Sequence, residues 1–203
     1  MTDPAAPSSA SIRVRGLTVR RGERLLFEAL DFEVAPGGVL LVRGPNGVGK
    51  STLLMTLAGI VRAEAGTVEG IEATNVHLLN YQSGLKGRLS VGENLKFWRD
   101  MYGRGGLSID AALEQVGIGS LAGLETGYLS SGQLRRLSLA RLLVSRRPVW
   151  LLDEPSAALD AAGEALLGRL IDAHQLSGGM AIIATHHDLP IGDPAGIATL
   201  VLQ

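Results

Sequence analysis

The sequence contains no cysteine, few aromatic residues and no excess of charge of either sign. Without cysteine there is no disulfide, no cysteine-ligated zinc, no iron–sulfur cluster and no thiol nucleophile. The 19 Lys and Arg residues nearly balance the 20 Asp and Glu residues, so bulk electrostatics does not hold the chain on nucleic acid or anionic lipid. The aromatic share of 4% also leaves few side chains for stacking on bases. We therefore expect no nucleic-acid partner.

Long hydrophobic runs are missing as well. The longest, residues 149–152 and 180–185, fall far short of the ~20 residues that a membrane-spanning helix needs. Residues 1–10, rich in Pro, Ala and Ser, lack the basic start and apolar segment of a signal peptide and predict a disordered N-terminus. The remaining length fits one globular domain, residues 11–203. If the chain acts at a membrane, we expect a partner to supply the transmembrane helices.

Alternating strands and helices predict an α/β fold. Alternation of apolar and polar residues over 12–20 and 27–34 is typical of half-exposed strands. Three continuous apolar runs indicate buried parallel strands, at 39–42, 149–152 and 180–184. Helical patterns broken by glycines fill the middle, where Ser90 and Glu93 have the spacing of a capping box. We therefore predict a core of about residues 11–82 and 145–203 and a helical insertion of about residues 83–144.

A glycine-rich loop predicts a phosphate site. The sequence GPNGVGKST matches G-x-x-x-x-G-K-[ST] at every fixed position, and glycines let backbone N–H groups point at phosphate oxygens. The following helix adds the positive end of its dipole. The strand before and the helix after the loop argue against a turn that binds nothing. The predicted nucleotide-binding residues are Gly44, Pro45, Asn46, Gly47, Val48, Gly49, Lys50, Ser51 and Thr52; Lys50 supplies an ammonium group for the outer phosphates and Ser51 a hydroxyl for Mg²⁺.

Two acidic residues end the buried strand that starts at residue 149. Asp153 stands where Walker B carboxylates hold Mg²⁺, and a buried carboxylate needs such compensation. Glu154, immediately beside it, has the chemistry to polarise a water that attacks the γ-phosphate. A solvated acidic pair is the alternative. Together with the glycine loop, this pattern predicts a nucleoside triphosphatase and leaves kinases, GTPases, helicases and transport motors open.

The sequence LSSGQ at residues 129–133 resembles the LSGGQ signature of ATP-binding-cassette (ABC) ATPases, with Ser131 in place of the first glycine. By itself this segment is equally compatible with a simple helix cap. Its position between the P-loop and the Walker B strand favours the signature. Three further matches follow the family order: Gln82 as the Q-loop glutamine, Asp160 in the D-loop and His186 as the switch histidine, with His187 as the competing choice.

The resemblance to ABC ATPases implies a P-loop NTPase core, an antiparallel β subdomain and an inserted helical subdomain that docks on a transmembrane partner. In this family two copies sandwich two ATP molecules, each held by the P-loop of one copy and the signature of the other. The cofactors are then ATP and Mg²⁺. The implied catalytic residues are Glu154, His186 and Gln82; the implied Mg²⁺ site comprises Ser51, Gln82 and Asp153; further nucleotide contacts come from Ser130, Ser131, Gly132, Gln133 and Asp160.

One position departs from the family pattern. Many members have an aromatic residue that stacks on adenine before the glycine of the first strand–loop, whereas this chain has Arg21 before Gly22. A guanidinium group also stacks on a base plane. We therefore expect Arg21 in the adenine site, with the base selectivity left open.

The segment after the Q-loop position narrows the resemblance. Residues 77–98, with YQSGLK and ENLKFW, resemble the cytochrome c biogenesis ATP-binding export subunits, the haem-exporter ATPases. That resemblance implies a motor subunit at the cytoplasmic face of the bacterial inner membrane, whose ATP hydrolysis supplies haem or releases a haem chaperone. No Cys-x-x-Cys-His motif or aromatic cluster indicates a direct haem site. The alternatives are an exporter subunit for a drug or lipid and, more remotely, an ATP-gated clamp on ribosomes or DNA.

Overall fold

The computed structural model describes residues 10–80, 84–192 and 196–203. The expected disordered segment, residues 1–10, lies outside this part except for Ala10. In chain order the elements are β1 (Ile12–Arg21), β2 (Arg24–Val34), β3 (Val39–Arg43), α1 (Lys50–Leu57), β4 (Ala65–Glu69), β5 (Val76–Leu79), α2 (Val91–Tyr102), α3 (Ile109–Gln115), α4 (Ser131–Val144), β6 (Val149–Asp153), α5 (Ala161–Leu176), β7 (Met180–Ala184) and β8 (Ile197–Val201). Among the described helices, none has the length and apolar character required to cross a membrane.

The strands form two sheets. The first is antiparallel, with the order β2-β1-β4. The second is parallel throughout, with the order β5-β6-β7-β3-β8. The α/β class with an antiparallel sheet beside a parallel one is confirmed. Strand β3 lies between β7 and β8, so the loop that follows it starts from the interior of the parallel sheet.

Apolar side chains cover both faces of the parallel sheet. Along β6, Val149 and Leu151 pack with α1 and the antiparallel sheet, whereas Trp150 and Leu152 pack with α2 to α5. This two-sided burial explains why the central strands are uninterrupted apolar runs in the sequence. Helix α1 ends at Leu57, and Gly59, with φ 74°, lies just beyond its end.

Helices α2, α3 and α4 fill the predicted insertion, and α4 packs against the other two. Helix α2 begins at the predicted capping box: the Ser90 hydroxyl accepts a bond from the Glu93 N–H at 3.2 Å, and Glu93 Oε2 accepts one from the Ser90 N–H at 2.8 Å. Buried Asn94 binds the carbonyls of Leu89 and Ser90 with its side-chain amide. The start of α2 is therefore fixed by local bonds as well as by packing.

Two histidines outside the predicted site have structural roles. The Nε2 atom of buried His77 lies 3.1 Å from the carbonyl oxygen of Ser145, and burial lowers the pKa of this histidine to about 3. The ring of His174 stacks on Trp150 with ring centroids 3.8 Å apart, and burial lowers its pKa to about 4. Both rings are therefore neutral parts of the packed interior at neutral pH.

Candidate nucleotide-binding site

The glycine loop joins β3 to α1. Gly44, Gly47 and Gly49 have φ values of 140°, 79° and 119°, which side-chain-bearing residues rarely adopt. A Cβ atom at Gly44 would lie 2.5 Å from the carbonyl oxygen of Leu202. The loop therefore has its shape because glycine occupies these positions.

Lys50 is the first residue of α1, and its side chain folds back over the loop. Its ammonium group donates hydrogen bonds to the carbonyl oxygens of Gly44 at 2.7 Å and Pro45 at 3.1 Å. The first turn of α1 contains no acidic residue, so the positive end of the helix dipole is not neutralised there. The loop, the ammonium group and the helix start thus create a positive environment suited to phosphates.

A cavity of about 270 Å³ lies beside the loop. Its lining residues are Arg21, Arg24, Leu26, Asn46, Gly47, Gly49, Lys50, Ser51, Thr52, Asp153 and Glu154. The cavity thus brings together residues predicted from the P-loop, the Walker B strand and the adenine position. Arg24 and Leu26 are additional and were not identified from the sequence. The β1–β2 hairpin could have identified Arg24 from the sequence, because Arg24 pairs with Arg21 directly across the turn.

Asp153, the last residue of β6, is buried beside the loop. Burial raises the pKa of its carboxyl group, while a hydrogen bond with the Ser51 hydroxyl and the nearby charges of Arg135 and Lys50 oppose that shift. The Ser51 hydroxyl and the Asp153 carboxylate therefore adjoin each other. This pair fits Mg²⁺, which takes few protein oxygens and completes its shell with phosphate and water.

Glu154 lines the cavity and pairs with His186, which is not itself among the lining residues. Glu154 Oε1 lies 2.9 Å from His186 Nδ1, and within the described residues no group is hydrogen-bonded to the buried Oε2 atom. Glu154 has φ 45°, a left-handed conformation that costs a non-glycine residue roughly 1–2 kcal/mol. His187 packs on His186 with ring centroids 3.8 Å apart, but the Glu154 contact is made by His186. The Oε2 atom of Glu154 thus remains available to accept a hydrogen bond from a water molecule.

The signature segment lies away from this cavity. Ser130 caps α4 by accepting a bond from the Gln133 N–H at 3.3 Å, and Gln133 Oε1 accepts one from the Ser130 N–H at 2.9 Å. Ser131 and Gly132 form the first turn of α4, and none of these four residues lines the cavity of the same chain. The segment is therefore a helix cap, and its exposed helix start also has the geometry of an anion site.

Asp160 also lies outside the cavity and caps a helix. Its carboxylate accepts bonds from the Gly163 N–H at 2.8 Å and from Arg136 at 2.9 Å. The Gly163 bond, followed by the Arg136 bond, lowers the pKa of Asp160. Of the remaining predicted positions, Gly44, Pro45 and Val48 complete the glycine loop, and Gln82 lies outside the described residues.

Known proteins are similar to this chain in sequence. The ABC transporter family model matches residues 27–157. The chain is 47% identical over 184 residues to the cytochrome c biogenesis ATP-binding export protein CcmA of Rhodopseudomonas palustris (strain HaA2), covering 87% of this chain and 92% of the relative. It is 44% identical over 195 residues to the protein of the same name from Brucella abortus (strain 2308), covering 93% and 90%.

Solved structures show the same fold. A putative ABC transporter ATP-binding protein from Pyrococcus furiosus superposes with a TM-score of 0.81 at 25% identity, covering 95% of this chain and 98% of that one. The ADP conformation of MJ1267, an ATP-binding cassette of an ABC transporter, superposes with a TM-score of 0.71 at 21% identity, covering 87% and 81%. The chain therefore belongs to the ABC transporter family and, within it, to the group of the cytochrome c biogenesis ATP-binding export proteins.

Proposed function

We propose that the cavity beside the glycine loop binds ATP together with Mg²⁺ and that Glu154 acts there as the base for hydrolysis. The chain is the ATP-hydrolysing subunit of an ABC membrane transporter. The observation that supports the proposed residue roles is the convergence of Lys50, Asp153 and Glu154 on one cavity. Each of the three supplies a different part of phosphoryl transfer.

The proposed mechanism uses the chain's own groups as follows. Loop N–H groups and the Lys50 ammonium hold the phosphates. Ser51 and Asp153 would hold Mg²⁺, which when bound neutralises charge on the phosphate oxygens. Glu154 accepts a proton from the attacking water while the bond between the γ-phosphorus and the bridging oxygen breaks, releasing ADP and phosphate. His186, 2.9 Å from Oε1, orients that carboxylate.

We further propose that two copies complete the site. The cap at Ser130 and the first turn of α4 expose a helix start away from the chain's own cavity, which supports a role against the phosphates of a second copy. Asp160 follows Glu154 by six positions and would contribute at the same interface. The helical region of about residues 83–144, with Gln82 at its border, would transmit these changes to a membrane subunit.

The cargo proposal follows from the relatives. Two of them carry the name of cytochrome c biogenesis export proteins at 44–47% identity over most of the chain. We propose that this chain powers haem supply or haem-chaperone release in cytochrome c maturation, bound peripherally to a polytopic membrane subunit at the cytoplasmic face of a bacterial inner membrane. Affinity purification of the chain from detergent-solubilised membranes should recover a polytopic subunit with haem-handling companions. Recovery of a multidrug-type permease instead would favour another cargo.

The residue roles are tested with Glu154→Gln. Removing the base should lower turnover by about 100-fold or more, while the fluorescent-ATP Kd stays within threefold and a closed dimer accumulates with ATP in size-exclusion chromatography. The matched control is Glu69→Gln, an exposed carboxylate on β4, which should keep parental turnover. Parental turnover by a folded Glu154→Gln variant would remove Glu154 from the base role.

A further inference from the structure

Helix α4, which begins in the signature segment and is called the signature helix below, carries a buried arginine that is hydrogen-bonded to the turn after β6. The Arg135 side chain starts from α4, and its residue is 7% exposed. Its Nε atom donates to the carbonyl oxygen of Ala157 at 3.3 Å, and its Nη2 atom donates to the carbonyl oxygen of Glu154. Both acceptors are main-chain groups of the turn between β6 and α5. Arg135 thus connects the helix of the signature to the backbone of the proposed catalytic base.

That turn has an unusual backbone conformation. Glu154 and Ala158 have φ values of 45° and 65°, although neither is glycine. Conformations of this kind persist only where surrounding contacts hold them. The Glu154 N–H donates to the carbonyl of Ala184 on β7 at 2.8 Å, and its carbonyl accepts from Arg135. The peptide groups on both sides of the Glu154 Cα atom are therefore anchored, and they set the direction in which its carboxylate points.

A second contact joins α4 to the same turn. A Cβ atom at Gly132 would lie 3.1 Å from the carbonyl oxygen of Ala158, which is tight packing at the first turn of α4. The positive charge of Arg135 also lies near the carboxylates of Asp153 and Glu154. A displacement of the helix start would therefore reach the Glu154 turn through Gly132 and Arg135.

We propose that Arg135 is a positioning residue that holds Glu154 in its hydrolytic orientation and makes this orientation depend on the place of the signature helix. The proposal rests on the proposed role of Glu154 as the base. Arg135 does not line the cavity, so its effect is exerted on the turnover step and not on nucleotide affinity. In an assembly of two copies, the signature of one copy would contact the ATP held by the other copy. A shift of α4 caused by that contact would then change the orientation of Glu154 at the ATP held by the same copy as α4.

The test compares Arg135→Gln with Arg147→Gln in the purified full chain. Arg147 is the matched control because it is 8% exposed and also grips two main-chain carbonyls, Ala73 at 2.6 Å and Val76 at 3.0 Å, away from the cavity. Both variants should lose thermal stability. Arg135→Gln should lower kcat by about tenfold or more with the ATP Kd within twofold, since misplacement by an ångström is that costly, whereas Arg147→Gln should keep kcat. Arg135→Lys, which retains the charge and a donor, should recover part of the loss.

A double-mutant cycle separates this idea from the role of Glu154. If Arg135 acts through Glu154, adding Arg135→Gln to Glu154→Gln should lower the residual turnover by less than twofold. Full additivity of the two losses, or parental kcat in a folded Arg135→Gln variant, would overturn the proposal while leaving Glu154 as the base. Parental turnover in Glu154→Gln alone would instead refute the base assignment itself.

Discussion

Replacing Lys50 with alanine should weaken ATP binding by roughly 100-fold. The ammonium group already lies at the glycine loop, bonded to the carbonyls of Gly44 and Pro45 at 2.7 and 3.1 Å, so it is in position before the nucleotide arrives. A unit charge at ~4 Å from a phosphate charge gives about 4 kcal/mol at an effective dielectric constant of 20. A charge-assisted hydrogen bond contributes a net ~1.5–3 kcal/mol. We therefore expect the variant to lose about 3 kcal/mol of ATP-binding free energy, which corresponds to a roughly 100-fold increase in Kd.

The assay is titration with a fluorescent ATP analogue in the presence of Mg²⁺, repeated by calorimetry. Lys96→Ala is the control, because Lys96 is an exposed lysine on α2 outside the cavity. Thermal melts without nucleotide establish that Lys50→Ala is folded, which matters because Lys50 also binds loop carbonyls. Saturating ATP should raise the melting temperature of the parent and of Lys96→Ala far more than that of Lys50→Ala. A Kd within threefold of the parent in a folded Lys50→Ala variant would refute the reasoning.

Three further predictions concern the adenine site, the buried histidines and the packing of the helical region. Arg21→Ala should raise the ATP KM a few-fold in steady-state assays, and an unchanged KM would remove Arg21 from the adenine site. As the pH falls from about 6.5 to 5, the unfolded chain binds protons at His77 and His174 that the native state, with pKa values of about 3 and 4, does not bind. The free energy of unfolding by urea should therefore fall by about 1.6 kcal/mol per histidine over this interval. The His174→Gln variant should lose only the His77 contribution, and a pH dependence equal to that of the parent would contradict this. Gly106→Ala places a Cβ atom 2.2 Å from a carbonyl oxygen of α4 and should lower the melting temperature without changing the ATP Kd. The control Gly87→Ala, whose Cβ atom meets nothing within 4 Å, should keep the parental melting temperature. Equal melting temperatures of the two variants would contradict the clash.

Features that depend on neighbouring residues were predictable from the sequence. The capping box of α2 forms because Ser90 and Glu93 are three residues apart, and two of the central strands are visible because burial on both faces demands an apolar run at 149–152 and at 180–184. The glycine loop is equally local, since its φ values follow from residue type. These short-range rules were sufficient for the fold class and for the shape of the glycine loop.

Features that depend on distant contacts were not predictable in this way. Strand β5 has buried His77 in its middle, which interrupts the apolar run, and β8 is a half-exposed edge strand with a weak pattern. Arg135 reads as one more charge on an amphipathic helix until folding brings the turn at Glu154 against it. Each of these roles is set by tertiary contacts that no local pattern encodes.

The position of β8 has a consequence for how the protein is made. This strand pairs with β3, the Leu202 N–H donates to the carbonyl of Arg43 at 2.9 Å, and the Leu202 carbonyl lies against Gly44. The residues that shape the start of the glycine loop are thus translated about 160 positions apart. A nascent chain that still lacks residues 197–202 has the complete GPNGVGKST sequence but not the strand that packs against the start of this loop. Nucleotide should therefore be captured only after β8 has left the ribosome and joined the sheet.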